Sequence, residues 1–509
     1  MIINPSPESS QESLRLRPSQ RKFLWGMVMA LIALRVLTMI QVPFTDTTEA
    51  RYAEMARKMV ETGDWITPQI EYGIPFWGKP PLHTWISAAG MKLFGINEFG
   101  GRIFIFITGL LIIGLLYRWA RENRGKDYAL AGISILASSA LFFVAMASVM
   151  TDLIMIAGTT LSMTAFWKAL HGEQRKLLTG YLFFVGLAIG LLAKGPVAFV
   201  LTAIPIGAWV LIHNRWKDTW QGLPWISGTL LMLALALPWY LIAEQKTPGF
   251  LRYFIVGEHF ERFLISGWKG DLYGSGHAEP RGSIWLFWLA TLLPWTLLLF
   301  LPFFKRTRAI IRGFKTDKSH WSSYLLCWAL APLVFFTAAT NIIPTYVITG
   351  TPASCFLILE VALFATSGQD HPSVWYSRLF KGSLVTGFGV FLTAYLVFTF
   401  MPQRAPKRTQ KDLVAHKTIA EGPVSLPLYY LSRKQYSIEF YTEGKAIRLE
   451  NQDQLTSLIE DSKPDFISID ERKFKALKPE IQGAFLQHGK FGKSLLISDQ
   501  PSLNKKSIP

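Results

Sequence analysis

The chain has 509 residues, of which 50% are hydrophobic, 14% aromatic and only 17% charged, with a formal net charge of +17. So little charge at this length excludes an ordinary soluble protein and points to a polytopic membrane protein. Nucleic-acid binding is not indicated either, because Lys and Arg fall mainly in short loops between apolar runs.

Residues 1–22 form a polar tail with Arg15, Arg17, Arg21 and Lys22 ahead of an apolar run at 23–42. That run is longer than a signal-peptide core and lacks a small-residue cleavage site, so it reads as a retained first span. Further apolar runs lie at 100–117, 128–147, 153–170, 180–194, 197–212, 223–243, 284–304, 322–340, 345–366 and 382–401. Each is read against the roughly 20 residues that a helix needs to cross a bilayer, giving a mainly α protein of about 11–13 transmembrane helices. The fifth and sixth runs form a tight hairpin around Lys194-Gly195-Pro196. Cys327 and Cys355 sit inside apolar runs and read as small buried hydrophobes, not as a disulfide or metal pair.

With the N-terminus cytoplasmic, the basic loops Arg118 to Lys126, Arg175-Lys176, Arg215 to Lys217 and Lys305 to Lys318 all fall inside. The 44–98 loop, Met150 to Asp152, Lys194, the 244–282 loop and Asn341 to Tyr346 then fall outside, as does the C-terminal tail. No Asn-x-Ser/Thr sequon with a permitted middle residue occurs, which favours a bacterial inner membrane.

The 44–98 loop is too long for a connector. Tyr52, Met55, Ala56 and Met59 recur at helical spacing over Glu49 to Val60, with Asp46, Thr47 and Thr48 as a capping region. A second helical pattern covers Leu82 to Phe94. Both helices are amphipathic and are expected to lie at the bilayer surface. Between them, Ile74-Pro75-Phe76-Trp77-Gly78-Lys79-Pro80-Pro81 reads as a rigid loop carrying aromatics and one lysine.

Helix capping accounts equally well for Asp46 and Glu49, and headgroup contact for Lys79. The balance shifts because more charge gathers at the outer ends of distant spans: Asp152, Lys194, and Glu258, His259, Glu261 and Arg262, with His277 and Arg281 closing that loop. Carboxylates in or beside spans are costly and read as functional. Arg35 and Glu360 also lie within spans and receive no role.

After about Pro402 the spans end. A basic linker (Arg404 to Lys411) leads to short alternating runs, Ser437 to Tyr441 and Asp465 to Ile469, separated by helical stretches at 452–461 and 472–487. Residues 402–509 read as a small soluble α/β domain on the outer side, following a transmembrane catalytic domain at 23–401.

Short motifs carry a family resemblance. They are Glu49-Ala50-Arg51-Tyr52-Ala53-Glu54-Met55-Ala56-Arg57, Thr62-Gly63-Asp64-Trp65-Ile66-Thr67-Pro68, Gly78-Lys79-Pro80-Pro81-Leu82, Leu93-Phe94-Gly95, Ala193-Lys194-Gly195-Pro196, Glu258-His259-Phe260-Glu261-Arg262-Phe263, Leu293-Pro294-Trp295 and Asn341 to Tyr346. In this order they resemble the lipid-linked-sugar glycosyltransferases of the GT-C type, the superfamily of aminoarabinose transferases and protein O-mannosyltransferases. The likeness does not extend into the C-terminal domain.

The chain departs from the aminoarabinose branch at three places. Thr48 stands where that branch has Asp, with Asp46 two places earlier; Gly78 replaces a Glu before the Lys; and Ile342 replaces a Lys. Asp46 and Glu49 therefore both stay open as the catalytic carboxylate, and the lost Glu leaves a divalent metal an open possibility with no ligands assigned.

The resemblance implies an inverting transfer of an aminoarabinose-like or other sugar from a polyprenyl-phosphate donor to lipid A or another envelope glycan, at the periplasmic face. The absence of a Gly-rich nucleotide motif agrees. In this reading Asp46, Glu49 and Asp152 form the catalytic acidic set, with Asp46 first. Lys79, Lys194, Arg51, Arg262 and His259 bind the donor phosphate, and Tyr52, Trp77 and Tyr346 line the pocket. Two other readings are a protein O-mannosyltransferase-like enzyme and a flippase of lipid-linked glycans. A flippase would place charge near the midplane on paired repeats, which the sequence lacks.

Overall fold

Pro18 opens the first helix, α1 (Pro18–Gln41), at a position where its missing N–H would be unsatisfied in any case. Beyond it come α2 (Thr48–Thr62), the strands β1 (Gln69–Glu71) and β2 (Ile74–Pro75), α3 (Leu82–Phe94) and α4 (Glu98–Arg124). The next helices are α5 (Lys126–Ser138), α6 (Ala140–Ala145), α7 (Thr151–His171), α8 (Lys176–Lys194), α9 (Pro196–His213), α10 (Trp216–Gly222) and α11 (Trp225–Lys246). A π-helical segment, Arg252–Glu261, runs into α12 (Arg262–Leu264) and is followed by α13 (Ser283–Thr291), α14 (Thr296–Thr316) and α15 (Trp321–Thr337). A 3-10 segment, Pro344–Gly350, then leads into α16 (Thr351–Thr366) and α17 (Val374–Phe400).

This computed structural model describes residues 14–172, 176–274, 277–366, 374–401, 408–423, 425–431, 434–460 and 463–499. Most of the polar N-terminal tail, Arg175, and Arg404 to Lys407 of the basic linker lie outside them. Among the described residues, 8 helices are long and apolar enough to cross a membrane, and α15 is a shorter apolar helix. The chain is a multi-pass membrane protein.

Two expected spans divide. The run at 128–147 becomes α5 and α6, with Ser139 in extended conformation between them. The run at 284–304 becomes α13 and α14, because Pro294 supplies no N–H to continue the helical ladder. Thr296 Oγ1 instead donates to the Leu289 carbonyl across the break. α14 continues to Thr316, so most of the basic stretch expected as a loop is helical.

The chain forms two compact units. One comprises Met1–Met39, Asp64–Ile86 and Arg102–Leu392; the other comprises Ile40–Gly63, Ser87–Gly101 and Thr393–Pro509. In the first, α7 and α8 pack closely through small residues. A Cβ on Gly158 would meet the Gly186 carbonyl oxygen at 2.6 Å, and Ser162 Oγ donates to the Phe183 carbonyl at 2.8 Å. Backbones approach this closely only where side chains are small. Near the opposite end of α7, Trp119, Trp167, Trp321 and Tyr324 interlock, with Trp119 and Trp321 stacked at 4.2 Å.

Arg35, unassigned from sequence, is held inside this unit. It donates to Thr38 Oγ1 at 2.9 Å, to the Val144 carbonyl at 2.6 Å and to Ser148 Oγ at 3.2 Å. Glu360 likewise accepts from Ser322 Oγ at 3.2 Å. Both charged groups are held by hydrogen bonds inside this unit, away from the cavity described below.

The second unit contains a five-stranded sheet. Its elements are α18 (Lys411–Glu421), β3 (Leu428–Leu431), α19 (Tyr436–Tyr441), β4 (Ile447–Arg448), α20 (Gln452–Glu460), β5 (Phe466–Asp470), α21 (Glu471–Lys475), α22 (Pro479–Gly483), β6 (Leu486–Phe491) and β7 (Ser494–Ser498). β3 pairs in parallel with β4 and β5, and β7 runs antiparallel to both β5 and β6. Leu455, Ile467, Ile469, Phe474 and Ile497 fill one face, and Leu413, Tyr430, Ile438, Phe466 and Leu496 the other.

Two sequence expectations change here. Residues 437–441 are helix α19, not a strand, since Ser437, Ile438, Glu439 and Phe440 are all buried and the apparent alternation marks no solvent face. The expected helix at 472–487 breaks at Pro479 and gives way to strand β6.

Candidate functional site

The first unit encloses a cavity of about 600 Å³. Val197, Val200, Leu201, Phe263, Phe335 and Phe336 are among its apolar walls, while Lys79, Lys194, Glu258, His259, Arg262, Asn341 and Tyr346 supply its polar groups. An apolar body with a few converging polar groups is what a ligand site requires.

Lys194 is the last residue of α8, and Pro196 begins α9. Gly195 makes the turn with φ +87°, and a Cβ there would stand 2.4 Å from the Phe254 ring and 3.2 Å from His259 Nε2. Only glycine tolerates both the backbone conformation and that proximity. The close α7–α8 packing carries Asp152, at the start of α7, to the end of α8. There Lys194 Nζ donates to Asp152 Oδ1 at 2.6 Å and lies 5.1 Å from the Tyr346 ring centre.

Lys79 comes from the loop after β2. Tyr273 pins that loop by donating to the Pro75 carbonyl at 3.0 Å and accepting from the Trp77 amide at 2.9 Å. Trp77 is fixed through Nε1 to Thr247 Oγ1 at 3.1 Å; it braces the loop and is absent from the cavity's lining. Lys79 Nζ donates to Glu258 Oε2 at 2.7 Å, and Arg262 Nη1 reaches the same carboxylate at 3.1 and 3.2 Å. Tyr253 Oη adds a donor at 3.3 Å, and Arg262 also pairs with Asp271 at 3.3 Å.

The Glu258 side chain is only 4% exposed. Burial works to raise its pKa, but Lys79 and Arg262 outweigh burial and hold it at about 2. Glu258 is therefore an anion across the physiological range. The π-helical register lets His259 Nδ1 donate to the Phe254 carbonyl at 2.7 Å. Burial lowers the His259 pKa, with Lys79 adding to the effect, so the ring is neutral at pH 7. Asn341 fixes the end of this segment, donating to the Arg262 and Ile265 carbonyls at 2.6 Å each and accepting from the Gly267 amide at 3.0 Å.

Lys79, Lys194, His259, Arg262 and Tyr346 thus line one cavity, with Asp152 bound to one of its cations. His277 and Arg281 are exposed and do not line it. Sequence reasoning counted Glu258, the hub, among the gathered charges but gave it no role; it missed Tyr253, Asp271 and Tyr273. Among the described residues no three His, Cys, Asp or Glu side chains converge as a metal-binding set, and the Glu258 carboxylate is taken up by two cations.

Residues 22–254 match the family model of dolichyl-phosphate-mannose-protein mannosyltransferase. The undecaprenyl phosphate-alpha-4-amino-4-deoxy-L-arabinose arabinosyl transferase of Pseudomonas savastanoi pv. phaseolicola is 32% identical over 364 residues, 70% of this chain and 63% of the relative. The enzyme of the same name from Edwardsiella ictaluri is 29% identical over 322 residues, 62% of this chain and 54% of the relative. The matches thus span between about half and two thirds of these relatives' lengths. ArnT from Cupriavidus metallidurans, solved bound to undecaprenyl phosphate, superposes with a TM-score of 0.73 at 18% identity over 95% of this chain and 99% of that one. An Archaeoglobus fulgidus oligosaccharyltransferase superposes with a TM-score of 0.53 at 10% identity, over 94% of this chain and 74% of the other.

The chain resembles the aminoarabinose transferases and has their GT-C fold. Within that fold Asp46, Glu49, Arg51 and Tyr52 belong to the second unit. Asp46 does not cap α2, whose N-cap is Thr47 and makes no side-chain capping bond. Its carboxylate accepts from the Ser437 amide at 3.0 Å and from Ser437 Oγ, at the start of α19. Burial raises its pKa to about 6 against the opposing hydrogen bonds from Ser437.

Glu49 and Tyr52 are buried on α2, and the Arg51 guanidinium lies 5.2 Å from the Tyr52 ring centre. α2 packs against α19 and is buried on most of its faces, including Glu54, Arg57 and Lys58. Protein, chiefly α19, covers the face that its amphipathic pattern was expected to lay on lipid.

Proposed function

We propose that this protein transfers a sugar from a polyprenyl-phosphate donor to lipid A or a related envelope glycan, at the periplasmic face of a bacterial inner membrane. The observation that carries this reading is a set of cations on the wall of an apolar cavity: Lys79, Lys194 and Arg262, each paired with a carboxylate, beside Val200, Phe263 and Phe336. An isoprenoid phosphate has the same division of charge. The relatives named for undecaprenyl-phosphate-linked aminoarabinose support that donor class, and the placement of basic loops supports the orientation. The boundary near residue 401 between a catalytic membrane domain and a soluble domain belongs to the same reading.

In the reaction the bond between the sugar's anomeric carbon and the donor phosphate oxygen breaks, and a bond from an acceptor oxygen to that carbon forms with inversion. The electron pair of the broken bond leaves with the phosphate, and Lys79 and Arg262 stabilise the charge that develops there. A phosphate acceptor attacks as an anion and releases no proton. A hydroxyl acceptor passes its proton to a carboxylate, for which Asp46, Glu49 and Asp152 are the proposed set. Neutral His259 and Tyr346 orient the donor head, with Arg51 and Tyr52 kept as proposed contributors.

The test is donor binding by Lys79→Ala and Arg262→Ala in purified protein. Each is expected to weaken affinity for a polyprenyl-phosphate sugar by about 10- to 100-fold, the scale of a charge-assisted contact. Wild-type affinity in both variants would falsify the phosphate role. The mannosyltransferase family match over residues 22–254 favours a second reading, with a protein hydroxyl as acceptor. Mass spectrometry of lipid A and of envelope proteins from a deletion strain separates the two.

A further inference from the structure

Glu258 is an anion buried where an anionic ligand is to be held. Lys79 and Arg262 both spend hydrogen bonds on it, at 2.7 Å and at 3.1 and 3.2 Å, and all three side chains line the cavity. Among the ion pairs of the described residues, Lys79, Arg262 and Lys194 face Glu258, Asp271 and Asp152. A structural ion pair needs no such position at a cavity wall, and two free cations would hold a phosphate more tightly than two shared ones.

We propose that Glu258 is a positioning residue that sets the charge of the phosphate site, so that polyprenyl phosphate is released after transfer. This rests on the reading that Lys79 and Arg262 hold the donor phosphate. The donor is a phosphodiester with one negative charge, whereas the product left by cleavage at the anomeric carbon is a monoester that carries nearly two at neutral pH. Without an opposing anion, a pair of cations in a partly desolvated site favours the product over the donor and traps it. The Glu258 carboxylate reverses part of that preference, because its repulsion acts most strongly on the more highly charged species. It also keeps Lys79 and Arg262 aimed at a common point, which a single phosphate can then share with it.

The experiment measures binding of farnesyl phosphate, and of its methyl ester as the singly charged control, to the full chain in detergent micelles. Glu258→Gln keeps the shape and removes the charge. It is expected to tighten farnesyl phosphate binding by about tenfold and the methyl ester by clearly less. If Glu258→Gln binds both probes equally to wild type, or both more weakly, the proposal is overturned. Lys79→Ala separates the two ideas: unchanged farnesyl phosphate binding there removes the underlying phosphate site. Weakened binding there with no tightening in Glu258→Gln removes only the role of Glu258. Should Glu258→Gln lose its thermal transition, Glu258→Asp carries the test. Its carboxylate is drawn back from Lys79, so intermediate tightening selective for the doubly charged probe is expected, and its absence overturns the proposal.

Discussion

Asp152 and Lys194 close a 2.6 Å ion pair at the adjoining ends of α7 and α8, each side chain 10% exposed or less. Removing one partner from such a pair strands a charge and costs about 3–5 kcal/mol, whereas removing both costs much less. Asp152→Asn and Lys194→Met are each expected to lower the thermal midpoint, and the double variant to recover part of that loss. Sugar transfer should stay depressed by about 100-fold or more in all three, as for other lost electrostatic groups. A double variant as unstable as the sum of the singles would show that the two groups act independently.

Gly195 sets where Lys194 ends and how closely the π-helical segment approaches. With φ at +87° and the Phe254 ring 2.4 Å from where a Cβ would stand, alanine meets both backbone strain and a clash. Gly195→Ala is expected to destabilise the first unit by about 2–4 kcal/mol. It should also weaken donor binding, because His259 sits at the same contact. Thermal unfolding alongside a donor titration checks both, and an unchanged melting curve would contradict this account of the turn.

How far the sequence reaches is clear from these same residues. The turn at Lys194-Gly195-Pro196 was readable, since a glycine between an apolar run and a helix-opening proline has few alternatives. Most apolar runs were readable for the same reason, that their length and composition alone decide them. The Asp152–Lys194 pair was not, because the 42 positions that separate its partners carry no mark of the Gly158–Gly186 contact that aligns them. Glu258 was visible in a motif, but its central place depends on Lys79, which lies 179 positions away. α2 misled for a physical reason: amphipathic spacing shows that one face is buried without saying what buries it, and here α19 packs against it.

Asp46 yields a pH prediction. Burial raises its folded-state pKa to about 6, above the roughly 3.9 of an unfolded Asp. The folded chain therefore binds this proton more tightly than the unfolded chain. The stabilisation is fully present below pH 4 and is lost as pH rises through 6. The difference of about two pKa units corresponds to about 2–3 kcal/mol. Asp46→Asn should flatten the stability of the second unit across pH 4–6, measured by denaturant unfolding. An unchanged slope would assign that pH dependence to other groups. Transfer activity of the same variant at pH 7 then reports separately on its proposed catalytic role.

Glu54 tests what holds α2 in place. The side chain is fully buried and accepts from Arg57 at 2.7 and 2.8 Å, while Lys58 Nζ stands 3.5 Å away. Lys58 reaches on to Glu439 of α19 at 3.4 Å, and Glu439 also accepts from Tyr430 Oη at 3.0 Å. Arg57 keeps Glu61 at 2.6 Å, but that partner is half exposed and makes a weaker anchor. Glu54→Ala removes the buried carboxylate that Arg57 and Lys58 share, and is expected to cost about 3–5 kcal/mol. Glu54→Gln retains an acceptor for Arg57 and should cost about half as much, on the scale of hydrogen bonds to charged groups. Hydrogen exchange of the α2 and α19 amides distinguishes a local failure from a global one. If α19 stays as protected as in the wild type while α2 opens, the Lys58–Glu439 link contributes little to holding the two helices together.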